Sequence, residues 1–174
     1  MKYSNITISG KICTGKTTLR NLLAKKLGWQ TFSTGELFRQ YALDHHLNLN
    51  TGQEQNNLIS RKIDNQVTKM LKEKEKLIID SWLAGITAQS TSGVIKVLLT
   101  CQNHIRYQRF AKREEVSYAE AKNQAEKRFL NWSKKIKEIY HRQDFLDKKN
   151  FDLIIDTSYI TPQAILKKVL NVLI

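Results

Sequence analysis

The chain has 174 residues, 41% of them hydrophobic, which suits one α/β domain with a buried core. No apolar run approaches the roughly 20 residues that span a bilayer, and two cysteines, Cys13 and Cys101, are too few for a disulfide framework or a zinc site. We therefore expect a cytoplasmic protein. The net charge of +13 leaves three interpretations open, namely affinity for nucleic acid, a site for several phosphate groups, or solvated lysine-rich helix faces.

Strands and helices are predicted to alternate along the chain. Short apolar or β-branched runs predict strands over 3–9, 29–34, 77–80, 94–100 and 151–156. Helical spacing predicts helices over 16–27, 36–46, 54–74 and 103–115, then one from 118 to beyond 140 and one from 162 onward. This alternation predicts an α/β fold with a parallel sheet, in which ligands bind beyond the carboxyl ends of the strands.

The run SGKICTGKTTL joins the first strand to the first helix and has the phosphate-loop spacing G-x-x-x-x-G-K-T. Glycines let such a loop curl its backbone amides around a phosphate, and the helix start adds positive potential. Lys16 is expected to reach the β and γ phosphates, and the Thr17 hydroxyl to bind Mg²⁺. The predicted ATP contacts are Gly10, Lys11, Ile12, Cys13, Thr14, Gly15, Lys16, Thr17 and Thr18. No N-K-x-D or D-x-x-G run indicates a GTPase.

Three arginines, Arg106, Arg109 and Arg113, share one face of the helix predicted over 103–115. Phosphoryl transfer needs positive charge around the transferred group, so this stripe favours a phosphate site. The alternative is surface pairing with Glu114, Glu115 or Glu120. Arg39 follows the second strand, where a cation could hold the phosphate of an acceptor.

Together with further segments, these residues make almost the whole chain resemble the nucleoside monophosphate kinases, most closely the archaeal-type cytidylate kinases. The resemblance rests on the phosphate loop and on five further segments. These are FSTGELFRQYA (32–42), SRKIDNQV (60–67), LIIDSWLAG (77–85), IRYQRFAKREEVSYAEA (105–121) and FDLIIDTSYITPQAI (151–165).

The resemblance implies transfer of the γ-phosphoryl group of ATP to CMP or dCMP, on a P-loop fold whose five parallel strands have the order 2-3-1-4-5. One domain, 1–174, would contain an acceptor-binding insert at about 35–75 and a lid at about 106–140. It also implies a monomer that acts on small nucleotides, and no membrane partner is expected. Two alternatives stay open, namely a P-loop kinase for another small acceptor and a nucleotide-dependent nucleic-acid-binding protein, although no recognition motif indicates nucleic acid.

Site roles follow from the same resemblance. The implied catalytic residues are Lys16, Arg109, Arg113 and Arg128. Arg109 would also lie near the adenine, and Arg113 over the phosphates. Asp80 would orient Mg²⁺ through water, or orient the acceptor. The implied acceptor contacts are Thr34, Arg39, Arg61, Asp64, Asp80 and Lys135.

Three features depart from the family pattern. Trp82 stands where the family has an arginine, and its ring could stack on a base or simply pack. In the lid, Phe129 replaces the usual glutamate, and Lys135 replaces a second arginine, which keeps the charge but loses bidentate geometry. Lys11 follows Gly10 where proline is frequent, so it adds a cation beside the loop.

Overall fold

A computed structural model describes residues 2–173. Its sheet contains five parallel strands in the order β2-β3-β1-β4-β5, as predicted. The strands are β1 (Asn5–Ser9), β2 (Gln30–Ser33), β3 (Leu77–Asp80), β4 (Val94–Thr100) and β5 (Leu153–Asp156). Because the strands are parallel, their carboxyl ends meet at one edge, where Ser33 of β2 pairs in register with Asp80 of β3.

Helices cover both faces of the sheet. They are α1 (Lys16–Leu27), α2 (Thr34–Asp44), α3 (Asn57–Glu73), α4 (Ala84–Thr87), α5 (Asn103–Glu114), α6 (Tyr118–Tyr140) and α7 (Pro162–Leu173), with a 3₁₀ turn at Lys148–Asn150. Within residues 2–173, no helix combines the length and the apolar character needed to cross a bilayer.

The core has a layer on each side of the sheet. Apolar side chains of α1 and α7, including Leu23 and Val169, pack against β1, β4 and β5 on one side. On the other side, Val67 and Leu71 of α3 pack with α4 against Leu77 and Ile79. This two-sided burial explains why β3 and β4 have continuous apolar sequences rather than alternating ones.

Most predicted element boundaries are within two or three residues of the observed ones. The first and last strands begin two residues later than predicted, and α2 begins two residues earlier, because Ser33 caps it by accepting from the Glu36 amide. Helix α3 begins at Asn57 because the Asn56 side chain accepts from the Ile59 amide. The short helix α4 was not predicted, since four residues are too few for a helical period to be visible.

Candidate active site

The phosphate loop connects the buried end of β1 to α1. Gly10 has a φ of 149°, and a Cβ there would meet the Leu99 carbonyl oxygen at 2.4 Å, so only glycine fits. Gly15, at the helix N-cap, has a φ of 94° and provides no side-chain cap. The first-turn amides of α1 therefore keep no intrahelical partner, which makes this helix start suitable for an anion.

Lys16 points back over this loop. Its ammonium donates to the carbonyl oxygens of Gly10 at 2.8 Å and of Lys11 at 3.0 Å. Burial lowers the pKa of Lys16 to about 8, although Asp80 opposes this shift. A cation that is desolvated in this way gains most when an anion arrives, as expected for a lysine that contacts phosphate.

A cavity of about 700 Å³ opens at the carboxyl edge of the sheet, a size common for ligand pockets. The loop and α1 contribute residues from Ile12 to Leu19 along one side. The other walls come from β2 and α2, from the end of β3, from α5 and α6, and from the segment after β5. They contain Ser33, Thr34, Gly35, Arg39, Leu49, Asp80, Ser81, Trp82, Arg109, Arg113, Glu114, Arg128, Trp132, Thr157, Ile160, Pro162 and Ile165.

The three arginines of α5 have different environments. Arg109 and Arg113 line the cavity, and Arg109 donates to the Thr157 carbonyl at 2.7 Å. Arg113 pairs with Glu114 at 2.8 Å, so the surface pairing named as the alternative is present. Arg113 nevertheless lines the cavity. Arg106 is 1% exposed and donates to the Ile12 carbonyl. The prediction that Arg106 binds phosphate is therefore wrong, and the residue supports the phosphate loop instead.

Asp80 lies at the centre of a buried polar network that the sequence did not reveal. Its Oδ1 accepts from the Ser33 hydroxyl at 2.5 Å, and its Oδ2 lies 3.4 Å from Arg20 Nη1. Arg20 also pairs with Glu36 at 2.6 Å, so it connects the end of β3 with the first turn of α2. The sign of this role in the sequence is that Arg20 lies among Leu19, Leu23 and Leu27, which form the apolar face of α1.

Helix α6, which belongs to the predicted lid, is attached to the loop before α3. Arg128 donates to the Asn50 side chain at 2.8 Å, and burial lowers the pKa of its guanidinium. The Trp132 indole donates to Glu54 at 2.7 Å, and burial raises the pKa of that carboxyl. These contacts hold α6 at the cavity wall, where Arg128 and Trp132 lie.

Trp82 packs in an aromatic cluster rather than standing free. Its ring centre lies 4.5 Å from that of Trp132, 5.7 Å from that of Phe129 and 5.9 Å from that of Phe145. The side chain is buried but also forms part of the cavity wall. Of the two interpretations of this departure, packing is therefore the one that the structure supports.

Three predicted acceptor residues do not line the main cavity. Arg61 donates to Asn57 and to the Ile139 carbonyl, while Lys135 pairs with Glu138 at 3.3 Å. Asp64 lines a smaller pocket that shares Thr34, Ser81, Trp82 and Trp132 with the main one. There it accepts a hydrogen bond from the Tyr140 hydroxyl, and burial raises its pKa to about 6.

The raised pKa of Asp64 predicts a pH-dependent stability. The folded protein holds this proton up to about pH 6, whereas the unfolded chain releases it near the ordinary value of 3.8. The folded state therefore binds more protons in this window, and the free energy of unfolding should fall as pH rises from about 4 to 6. We expect Asp64→Asn to remove this slope and to raise stability at pH 7 by about 3 kcal/mol.

Urea unfolding at several pH values measures this effect. Tyr140→Phe is the matched variant, because the lost hydrogen bond otherwise lowers the pKa of Asp64. In Tyr140→Phe, the fall in stability should extend to higher pH, whereas Asp64→Asn should abolish it. An unchanged slope in the Asp64→Asn protein would contradict the assignment.

Known proteins resemble the chain in sequence and in fold. Residues 6–130 match an AAA domain family. A cytidylate kinase from Haloarcula marismortui is 31% identical, over 95% of this chain and 87% of its own. A cytidylate kinase from Sulfurisphaera tokodaii is 32% identical, over 93% and 91%. A shikimate kinase from Acinetobacter baumannii, in complex with shikimate, superposes with a TM-score of 0.61 at 16% identity, over 98% of this chain and 92% of its own.

Proposed function

The chain belongs to the cytidylate kinase family of P-loop kinases, and we propose that it transfers the γ-phosphoryl group of ATP to CMP or dCMP. The observation that carries this proposal is a single cavity that joins the phosphate loop to a second set of polar groups. Lys16 lies on the donor side, while Thr34, Arg39 and Asp80 lie on the side of β2 and β3. Two phosphorylated molecules bound there would face each other across the cavity, which favours in-line transfer.

The donor would bind between the loop and the segment after β5. Lys16 and the α1 amides suit the phosphates, while Arg109 with Ile160, Pro162 and Ile165 offers a planar cation beside an apolar wall. Such a surface accepts an aromatic base through stacking and apolar contact. This subsite supports the predicted role of Arg109 near the adenine.

Mg²⁺ would be held mainly by phosphate oxygens. In the described part of the chain, no three His, Cys, Asp or Glu side chains cluster in a way that could hold a metal. Thr17 and Asp80 both line the cavity, so their oxygens fit the small protein contribution that Mg²⁺ usually receives. The ion would supply charge neutralisation at the β and γ phosphates.

The base of the nucleotide that receives the phosphoryl group would be recognised at the smaller pocket. Ser60 is 3% exposed and its hydroxyl has no hydrogen-bond partner in the structure, and Gln55 and Asp64 lie beside it. The amino group of cytosine needs an acceptor, which a carboxylate provides, and its ring nitrogen and oxygen need donors such as a hydroxyl or an amide. The free volume is only about 20 Å³, so α6 must move away from α3 before a base edge can enter.

In this mechanism the protein supplies position and charge rather than a base, because the attacking phosphate oxygen is already ionised. Arg39 would hold the acceptor phosphate, while Lys16, Arg113 and Arg128 stabilise the charge on the transferred group. Movement of the lid, about 106–140, against the acceptor insert, about 35–75, would exclude water. The monomeric state and the cytoplasmic location remain predictions.

A substrate panel tests the proposal. Purified protein with ATP and Mg²⁺ is given CMP, dCMP, UMP, AMP or GMP, and diphosphate is measured by chromatography. We expect the largest kcat/KM for CMP or dCMP. A Lys16→Ala preparation, purified identically, controls for contaminating kinases. Diphosphate formation from none of the five, or a clear preference for a purine, would overturn the proposed acceptor.

A further inference from the structure

A second cavity, of about 580 Å³, lies on another face of α6 and shares no lining residue with the active-site cavity. Phe129, Ser133, Lys134 and Lys137 of α6 form one wall. The segment 143–147 forms the opposite wall, and Lys11 of the phosphate loop completes the lining. The volume is that of a small-molecule site.

The charges around this cavity favour an anion. Lys11, Lys134 and Lys137 form no ion pair within the described residues, whereas the neighbouring Lys135 does. Two carboxylates also line the cavity, but each already has a cation. Asp144 pairs with Arg142 at 2.8 Å, and Asp147 pairs with Lys149 at 3.3 Å. An incoming anion therefore meets three uncompensated ammonium groups.

Lys11 connects this cavity to the phosphate loop. Its ammonium stands 4.0 Å from the ring centre of Phe129, a cation–π contact rather than an ion pair. Burial and the nearby Arg106 lower the pKa of Lys11, so a partner of opposite charge would stabilise it. Lys11 and Phe129, both departures from the family pattern, meet here.

Aromatic rings supply an apolar part of the cavity. Phe129 and Phe145 both line it, and both pack against Trp82. A ligand that combines phosphate with a planar or apolar group would use both the lysines and these rings. The walls thus suit a nucleotide, while inorganic polyphosphate would satisfy the lysines alone.

We propose that this cavity is a second anion site that binds a phosphorylated small molecule, with Lys11, Lys134 and Lys137 contacting its phosphates. Because Lys11 belongs to the phosphate loop, an occupant of this cavity also contacts that loop. The site does not depend on which acceptor the enzyme phosphorylates. A failure of the substrate panel would therefore leave this site standing, and only the binding experiment tests it.

The full chain, labelled with ¹⁵N, is titrated with inorganic tripolyphosphate and, separately, with CMP while amide signals are recorded. Binding at the second cavity shifts the signals of 143–147, whereas binding at the phosphate loop shifts those of 12–17. Lys134→Ala/Lys137→Ala is expected to weaken the response at 143–147 roughly tenfold. The matched control, Lys122→Ala/Lys127→Ala, removes two exposed lysines of the same helix and should weaken it less than about twofold.

Each outcome decides between the possibilities. A response at 143–147 to both probes supports the site with phosphate as the sufficient group, and a response to CMP alone supports it with the rings contributing. Shifts confined to 12–17 would overturn it, as would equal weakening by both lysine pairs, which indicates general charge attraction. A short RNA that shifts signals over the whole lysine-bearing surface, without preference for 143–147, also overturns it.

Discussion

Replacing Lys16 by alanine is expected to lower kcat by about 10²- to 10³-fold while the protein stays folded. Lys16 is the cation that lies within the curl of the phosphate loop, 2.8 Å from the Gly10 carbonyl oxygen. When phosphates displace those carbonyl contacts, its charge faces the transferred group, and no other side chain of the loop carries a cation to the same position. The loss should therefore appear in the transition state more than in substrate binding.

The same substitution should leave stability equal or slightly higher. The folded pKa of Lys16, about 8, lies below its ordinary value of 10.5, so at pH 7 the folded protein holds a proton that burial disfavours. That penalty fades as pH rises from about 8 to 10.5, and the alanine variant does not carry it.

Steady-state kinetics and thermal unfolding separate these two effects. Lys25→Ala, an exposed lysine in the last turn of the same helix, is the matched control and should change neither quantity appreciably. Near-normal kcat in the Lys16→Ala protein would remove the phosphate loop from the mechanism.

Those parts of the fold that depend on local sequence could be predicted. The phosphate loop needs glycines at two fixed positions, and α1 begins and ends where Gly15 and Gly28 adopt left-handed conformations. The capping serine Ser117 accepts from the Glu120 amide, as its spacing predicts. Short apolar strands between helices were sufficient to predict a parallel sheet.

Contacts between distant segments could not be predicted in the same way. Arg106 and Arg113 are seven residues apart on one face of α5, yet only Arg113 reaches the cavity, because the phosphate loop covers Arg106. The wall formed by Thr157, Ile160 and Ile165 comes from the far end of the chain, and although the segment 151–165 resembles the family, its spacing does not indicate that these side chains face the phosphate loop. Leu58 fits the apolar spacing of α3 but is 80% exposed, because it lies beyond the surface that packs on the sheet.

The departures from the family pattern have a similar explanation. Taken singly, Lys11, Trp82 and Phe129 look like three unrelated changes, a cation gained at the loop and two charged side chains lost. In the fold they lie together, with Phe129 between the ammonium of Lys11 and the ring of Trp82. Substitutions that are far apart in the sequence thus amount to one local change in packing. The three side chains lie at the boundary between the two cavities.

Arg20→Met is expected to destabilise the protein by about 3–5 kcal/mol, the usual effect of leaving a buried charge without its partner. The side chains of Arg20 and Asp80 are 8% and 5% exposed, so water does not replace the lost contact. Asp80 also loses the group that fixes its carboxylate beside the cavity, so kcat should fall as well. Arg20 is thus a positioning residue, which acts on the reaction through Asp80.

Urea unfolding of Arg20→Met, Asp80→Asn and the double variant forms a cycle that isolates this interaction. Removing both charges should cost less than the sum of the single changes, with a coupling of about 1–3 kcal/mol. Arg142→Met provides the control, because its pair with Asp144 is at the surface and its loss should cost no more than about 1 kcal/mol.

Arg20→Lys distinguishes the two roles of Arg20. Lysine keeps the charge but has no planar fork with which to hold Asp80 and Glu36 at once. It should restore much of the stability, because the buried carboxylate regains a cation, but less of kcat, because Glu36 on α2 is released. If stability and kcat returned together, Arg20 would serve only as a counter-charge. A strictly additive cycle would show that Asp80 is held mainly by Ser33, whose hydroxyl lies 2.5 Å from the carboxylate.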